Sequence, residues 1–252
     1  KLMPWLVILT TLATLAVNIS ANILPLNGLD TGQISDQFDV YFVPAGYVFS
    51  IWGVIYVGMI AFTVYQALPA QRENTRLHGV RGWFILSNVA NAVWLFFWHY
   101  QQFLLTLLAM GALLVSLLAI YLHLRSNRGR ATRQERWLVD IPFSIYLGWI
   151  TVATIANVTS VLDYVGWSGW GLSAEGWMVV MLAVVAVLAW AMSLRERDAA
   201  YLAVLVWALA GIGVKFPEAG VVTMATWTVF GLAALAFLWA LIQPRSLRPS
   251  PA

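Results

Sequence analysis

Six tryptophans sit deep inside long apolar runs: Trp52, Trp94, Trp149, Trp190, Trp207 and Trp227. An indole offers a large rigid apolar face and one N–H donor. It packs a core as readily as it lines a site for a flat apolar ligand, so residue type alone leaves both readings open. The polar residues of the same runs narrow the choice, because an amide in hydrocarbon is expensive unless partnered or functional. Asn18 and Asn22 are four apart and share a helix face, and Asn88 and Asn91, three apart, share another. Asn157 follows Trp149 and Ala153 at successive i+4 steps. Hydrogen bonds between helices account for each asparagine singly. Taken together, amides and indoles on the same helices suggest one polar-lined pocket with aromatic walls, whose chemistry is reversible binding.

The other candidates offer less. Asp140 lies inside an apolar run, one turn after Arg136, and is expected to pair with it at i, i+4 near a helix start. His99 at the outer end of the third run and His123 near the inner end of the fourth fall on opposite membrane faces, so they cannot share a metal, although either could serve as a lone axial ligand to a tetrapyrrole. Lys215 lies at an outer rim before Pro217, and the third run holds no carboxylate counter-ion, which argues against a retinal-type Schiff base. The chain has no cysteine, which removes disulfides, thiolate metal sites and cysteine nucleophiles. It has no Walker loop, GxSxG, HExxH or CxxC sequence. No residue is assigned a catalytic role and none a metal.

The elements that must position these residues are membrane helices. The chain is 61% hydrophobic and 10% charged, where soluble domains carry about 25% charged residues. Apolar runs cover roughly 2–24, 46–68, 82–100, 103–124, 137–165, 176–194, 199–214 and 219–242. A bilayer core needs about 20 apolar residues per helix. The run 199–214 is the shortest. The first run reads as a retained helix, since Asn18, Ser20 and Asn22 fill a signal core poorly. Threading eight helices with the N-terminus inside puts thirteen of the fourteen basic residues on one side, leaving only Lys215 opposite. The inside set is Lys1, Arg72, Arg76, Arg81, Arg125, Arg128, Arg130, Arg133, Arg136, Arg195, Arg197, Arg245 and Arg248. Asp30, Asp36, Asp39, Asp163, Glu175 and Glu218 fall outside. The positive-inside rule then places both termini in the cytoplasm. The sequence pI near 9.3 reflects these topological arginines, so nucleic acid is not an expected partner. Trp5, Trp83, Trp137, Trp167, Trp170 and Trp177 lie near run ends, where interface belts form. The acidic outer stretch 25–45 carries Asn27-Gly28 and Thr31-Gly32 turn signals and is long enough to fold over the bundle as a lid.

Several of these residues carry a resemblance. Val43-Pro44-Ala45-Gly46-Tyr47-Val48-Phe49-Ser50-Ile51-Trp52, with Tyr56 following, resembles the second-helix signature of the tryptophan-rich sensory protein (TspO/MBR, translocator protein) family. Asn91-Ala92-Val93-Trp94, followed by Phe96 and Phe97, is similar to its third-helix pattern. Tyr146 to Trp149, then Ala153 and Asn157, is similar to its fifth-helix pattern. The departures are specific. Phe49 precedes Trp52 by three positions where the family has four, Ile145 replaces a proline, and no Lys or Arg completes a sterol-type motif after Tyr164.

The fold expected is an all-α polytopic membrane bundle of about eight helices, a five-helix module over residues 1–165 and a three-helix extension over 166–252. The resemblance implies a porphyrin or other flat apolar ligand rather than an obligatory cofactor, with a sensory, regulatory or transport role, and a bacterial inner-membrane location. Trp52, Tyr56, Asn91, Trp94, Trp149, Ala153 and Asn157 are the expected lining. The expected partners are membrane lipid and an apolar small molecule, with a homodimer or larger complex left open. The alternative is an auxiliary subunit docking on a larger, pigment-bearing membrane complex.

Overall fold

The computed structural model describes residues 2–24, 26–218 and 220–242. Lys1, Arg245 and Arg248 lie outside the described residues, as do the side chains of Asn22 and Arg130. All regular structure among the described residues is helical. The apolar helices are α1 (Met3–Ile23), α2 (Ile51–Ala67), α3 (Thr75–His99), α4 (Phe103–Ser126), α5 (Ile141–Tyr164), α6 (Ala174–Ala191), α7 (Ala199–Lys215) and α8 (Val221–Ile242). Among them, seven segments are long and apolar enough to cross a membrane, and α7 is the shorter apolar helix expected of 199–214.

Local chemistry sets the boundaries. Asn74 caps α3, its side chain accepting from Arg76 and Leu77 backbone N–H groups. The helix therefore starts seven residues before the apolar run read from 82, and Arg76 and Arg81 are buried in its first turns. Arg81 can be buried because it donates to the Gln66 side chain at 2.9 Å and to the Gln66 and Gln71 carbonyls. Thr132 and Glu135 form a capping box before a π-helical turn over Arg136–Asp140 that leads into α5. Ser173 caps α6, and Asp198 caps α7. Satisfying the first free N–H groups in this way is worth about 1 kcal/mol per cap.

α3 lies between α1 and α4, and α5 packs on α4 and α2. The last three helices join this group through α7, which lies against α5 on one side and α8 on the other, with α6 packed on α8. Small residues permit that approach. A Cβ on Gly148 would meet the Tyr201 carbonyl oxygen at 3.1 Å, and one on Gly211 would meet Val48 Cγ2 at 2.1 Å.

Charge separates the two ends of the bundle as the helix count requires. One end holds the Arg76–Asp140 pair, the Arg125–Glu196 pair at 2.6 Å and the Arg128 bond to the Glu196 carbonyl. The other holds Lys215–Asp36 at 2.5 Å, Tyr41 donating to Glu175, and the Asp39 N–H donating to Asp163. The expected Arg136–Asp140 pair is corrected. Asp140 instead meets Arg76 of α3. Arg136 and Asp140 bound a π-helical turn rather than an α-helical one, and the buried Arg76 requires a counter-ion more than the half-buried Arg136 does.

Candidate functional site

The stretch before α2 returns over the acidic end of the bundle. Asp30 caps a short helix, Thr31–Ser35, through a complete capping box with Gln33. α3 pins this helix from below. Trp98 Nε1 donates to the Thr31 carbonyl at 3.3 Å, and His99 bridges the Leu26 carbonyl at 3.0 Å and the Thr31 hydroxyl at 3.2 Å. Because a carbonyl only accepts, Nδ1 of His99 carries the proton donated to Leu26. Lys215 of α7 reaches the same short helix at its cap residue, Asp36. Tyr41, further along the lid, has its hydroxyl pKa raised by desolvation and then by the Glu175 carboxylate it faces.

Beneath the lid are two adjoining chambers, both bordered by Thr31, Phe49, Trp52 and Trp94. The outer chamber is a half-open cleft of about 590 Å³, also lined by Asn18, Asp30, Gln33, Asp36 and Tyr56, with the exposed Ile19 and Ile23 at its edge. That volume lies within the range of about 300–1,000 Å³ usual for small-molecule sites. The inner chamber encloses about 50 Å³ and runs between Trp98, Met110, Trp149, Ala153 and Asn157. It has room for ordered water rather than for an organic ring, since one water needs about 10–15 Å³ by that measure.

The aromatic walls are ordered by mutual contact. Trp52 stacks on Tyr56 with centroids 5.7 Å apart and planes at 24°. Trp149 meets Trp52 edge-on at 6.3 Å and Phe49 edge-on at 5.8 Å. Trp94 stacks on Trp98 at 5.5 Å and 19°. Edge-to-face and offset pairs of this kind are the favoured quadrupole arrangements, each worth about 0.5–1.5 kcal/mol beyond burial.

Amides hold these rings in place. Trp94 Nε1 donates to Asn157 Oδ1 at 2.6 Å, and Asn157 Nδ2 donates to Thr106 of α4 at 2.8 Å. The Tyr56 hydroxyl donates to Asn18 Oδ1 at 2.8 Å, and Asn18 Nδ2 donates to Asn91 Oδ1 at 2.7 Å. Of the indoles bordering the inner chamber, Trp149 is left with a buried Nε1 donor that has no hydrogen-bond partner.

The expected lining is thus mostly brought together. Trp52, Trp94, Trp149, Ala153 and Asn157 border the inner chamber, and Tyr56 borders the outer one with Trp52 and Trp94. Asn91 borders neither chamber. It is buried behind the wall, holding Asn18. Asn88 likewise serves α1, donating to Thr10 and Thr11. The asparagines therefore do not line one common pocket, because bonding between helices takes up two of them. Trp207 and Trp227, read as deep, are partly exposed, Trp207 donating to the Val48 carbonyl and Trp227 packing on Gly213 of α7. Neither histidine can serve a tetrapyrrole here. His99 is committed to the lid, and His123 bonds the Arg76 carbonyl at 3.0 Å on the opposite end.

Phe49, Trp98 and Thr31 are site residues that the sequence reading did not assign. Trp98 stands four residues after Trp94, so the same i+4 logic that joined Trp149 to Asn157 identifies it.

The architecture defines an integral membrane protein, an α-helical bundle with an aromatic, lidded cavity between its helices. A family model described as TSPO-like protein matches residues 4–242, and the chain belongs to that family. The match takes in all eight apolar helices, including the three that follow residue 165. No curated protein and no solved structure matches the chain.

Proposed function

We propose that the protein binds a flat apolar small molecule in the outer chamber and serves in its sensing or movement across the membrane. The observation that carries this reading is a space of about 590 Å³ bounded by the stacked Trp52–Tyr56 pair. Family membership supports it, and so does the lid pinned by His99 and Trp98. A tetrapyrrole can be accommodated only in the outer chamber. There Trp52, Tyr56 and Trp94 supply stacking surfaces, and Asn18 and Gln33 supply polar contacts. The inner chamber is too small for a macrocycle, and neither chamber offers a histidine to a bound metal. Affinity for a dicarboxylate porphyrin should be modest, because its propionates would meet Asp30 and Asp36.

Tryptophan-fluorescence quenching by added porphyrin tests this reading. Replacing both Trp52 and Trp94, which border the outer chamber, by Leu should weaken binding about tenfold or more, since two aromatic contacts together exceed about 1.4 kcal/mol. Identical titrations of the parent and an equally well-folded double variant would favour a subunit that docks on a larger membrane complex instead.

In the same reading the arginine-rich end faces the cytoplasm of a bacterial inner membrane. Reporter fusions at Ser126 and Gly169 should then report opposite sides, the first cytoplasmic.

A further inference from the structure

The outer chamber carries an electrostatic selection that its aromatic walls alone do not explain. Its lining contains two carboxylates, Asp30 and Asp36, and no Lys, Arg or His. The inner chamber adds no ionisable residue from Asp, Glu, Lys, Arg or His. Further carboxylates at the same end of the bundle are Asp39 and Asp163, joined by an Asp39 N–H to Asp163 bond, and Glu175, which accepts from Tyr41. Lys215 is the cation that reaches them, and it is held by Asp36. Asp30 has a different commitment. Its carboxylate accepts the Gln33 N–H at 2.8 Å as the cap of the short helix.

Beside these charges stand the faces of Trp52, Tyr56, Phe49 and Trp94. An aromatic face attracts a cation through its quadrupole, with Trp the strongest, and a nearby carboxylate adds to the same preference. A carboxylate ligand meets the opposite on both counts. Trp149 lines the inner chamber, is 2% exposed, and its indole N–H has no partner. A buried donor left unsatisfied is costly, and the inner chamber has room for an ordered water to accept from it.

We infer that the preferred ligand of this site is a flat apolar cation, a ring system bearing an amine or quaternary nitrogen, with its charge at Asp30 and Asp36 and its rings on Trp52 and Tyr56. This rests on the reading of the chambers as a ligand site and narrows it. Lys215 is then an internal competitor, occupying one of the two carboxylates that the ligand nitrogen would use.

The test uses the full chain in nonionic detergent and two probes of equal shape, anthracene bearing a methylammonium group and anthracene bearing a carboxylate, each titrated by tryptophan-fluorescence quenching. The ammonium probe should bind about tenfold tighter than the carboxylate, a difference that narrows with added salt. Asp30→Asn keeps a good helix cap and should move the ratio toward parity. Lys215→Gln should tighten the ammonium probe and weaken the carboxylate. If Lys215 merely held the lid shut, the same substitution would shift both probes in one direction. A carboxylate probe that binds as well as the ammonium probe, or a ratio untouched by Asp30→Asn, overturns the charge assignment while leaving the chambers a ligand site. Failure of both probes to quench overturns the ligand site and the charge assignment together.

Discussion

The first five helices and the last three solve the problem of packing in lipid by opposite means. α1, α3, α4 and α5 are tied by side-chain bonds running through their interior: Asn18 to Asn91, Asn88 to Thr10 and Thr11, and Trp94 to Asn157 to Thr106. α6, α7 and α8 approach through small residues, with Ala189, Ala208, Gly211, Ala233 and Ala236 all buried. Their interior polar groups are few, with Ser193 of the turn after α6 donating to the Ala236 carbonyl at 2.6 Å. Lipid tails are as apolar as leucine, so helices associate by close contact or by polar bonds rather than by a hydrophobic gain. Close contact leaves no space, whereas directional bonds hold helices at fixed positions around one. The chambers lie on the side built with bonds.

That contrast can be broken most forcefully where the two modes meet. Gly148→Leu would push its side chain into the Tyr201 backbone and Val204. It should cost about 1–3 kcal/mol or more, as overpacking does, and lower the thermal midpoint in detergent sharply. A neutral result would mean that α7 does not rest on α5 as described. A smaller effect is expected inside the bonded region. Asn91→Leu should cost about 0.6–2 kcal/mol, the range of interhelical bonds in membranes. A double-mutant cycle with Asn18→Leu should show coupling, because each amide is the other's partner. Simple additivity would reduce the pair to coincidental neighbours. The smallest change belongs to the surface pair. Lys215→Gln should alter stability by no more than about 1 kcal/mol, as exposed ion pairs do, since the Asp36 side chain is 61% exposed. A large loss would show that the lid is a structural support rather than a cover.

The sequence made some of this visible and not the rest, for physical reasons. Apolar runs are a local property, so the eight helices could be counted residue by residue, and even the short 199–214 run was visible. The i, i+4 rule placed Trp149, Ala153 and Asn157 on one face, and they share the inner chamber. Partners distant in the chain were not visible. Asp140 was assigned to Arg136 because sequence proximity is all that spacing offers, whereas Arg76 lies 64 residues away. Asn91 was placed in the lining for the same reason. Helix periodicity gives a face but not whether that face meets a cavity or a neighbouring amide. The division into two chambers depends on how Thr31 and Phe49 descend from the lid, and no periodic pattern encodes that.

The shortness of α7 bears on how the protein is made. Its 17 residues rise about 25 Å at ~1.5 Å each, less than the ~30 Å hydrocarbon core. Its inward residues, Leu202, Leu205, Leu209 and Ile212, are buried by protein. α7 leaves the ribosome before α8, the helix that covers one of its sides. Until α8 follows, α7 is poorly matched to the bilayer and only half covered, so the insertion machinery must hold it or admit it together with its successor. Biogenesis of the last three helices is therefore expected to be concerted, and a chain cut between α7 and α8 should be recognised by membrane quality control as unfinished.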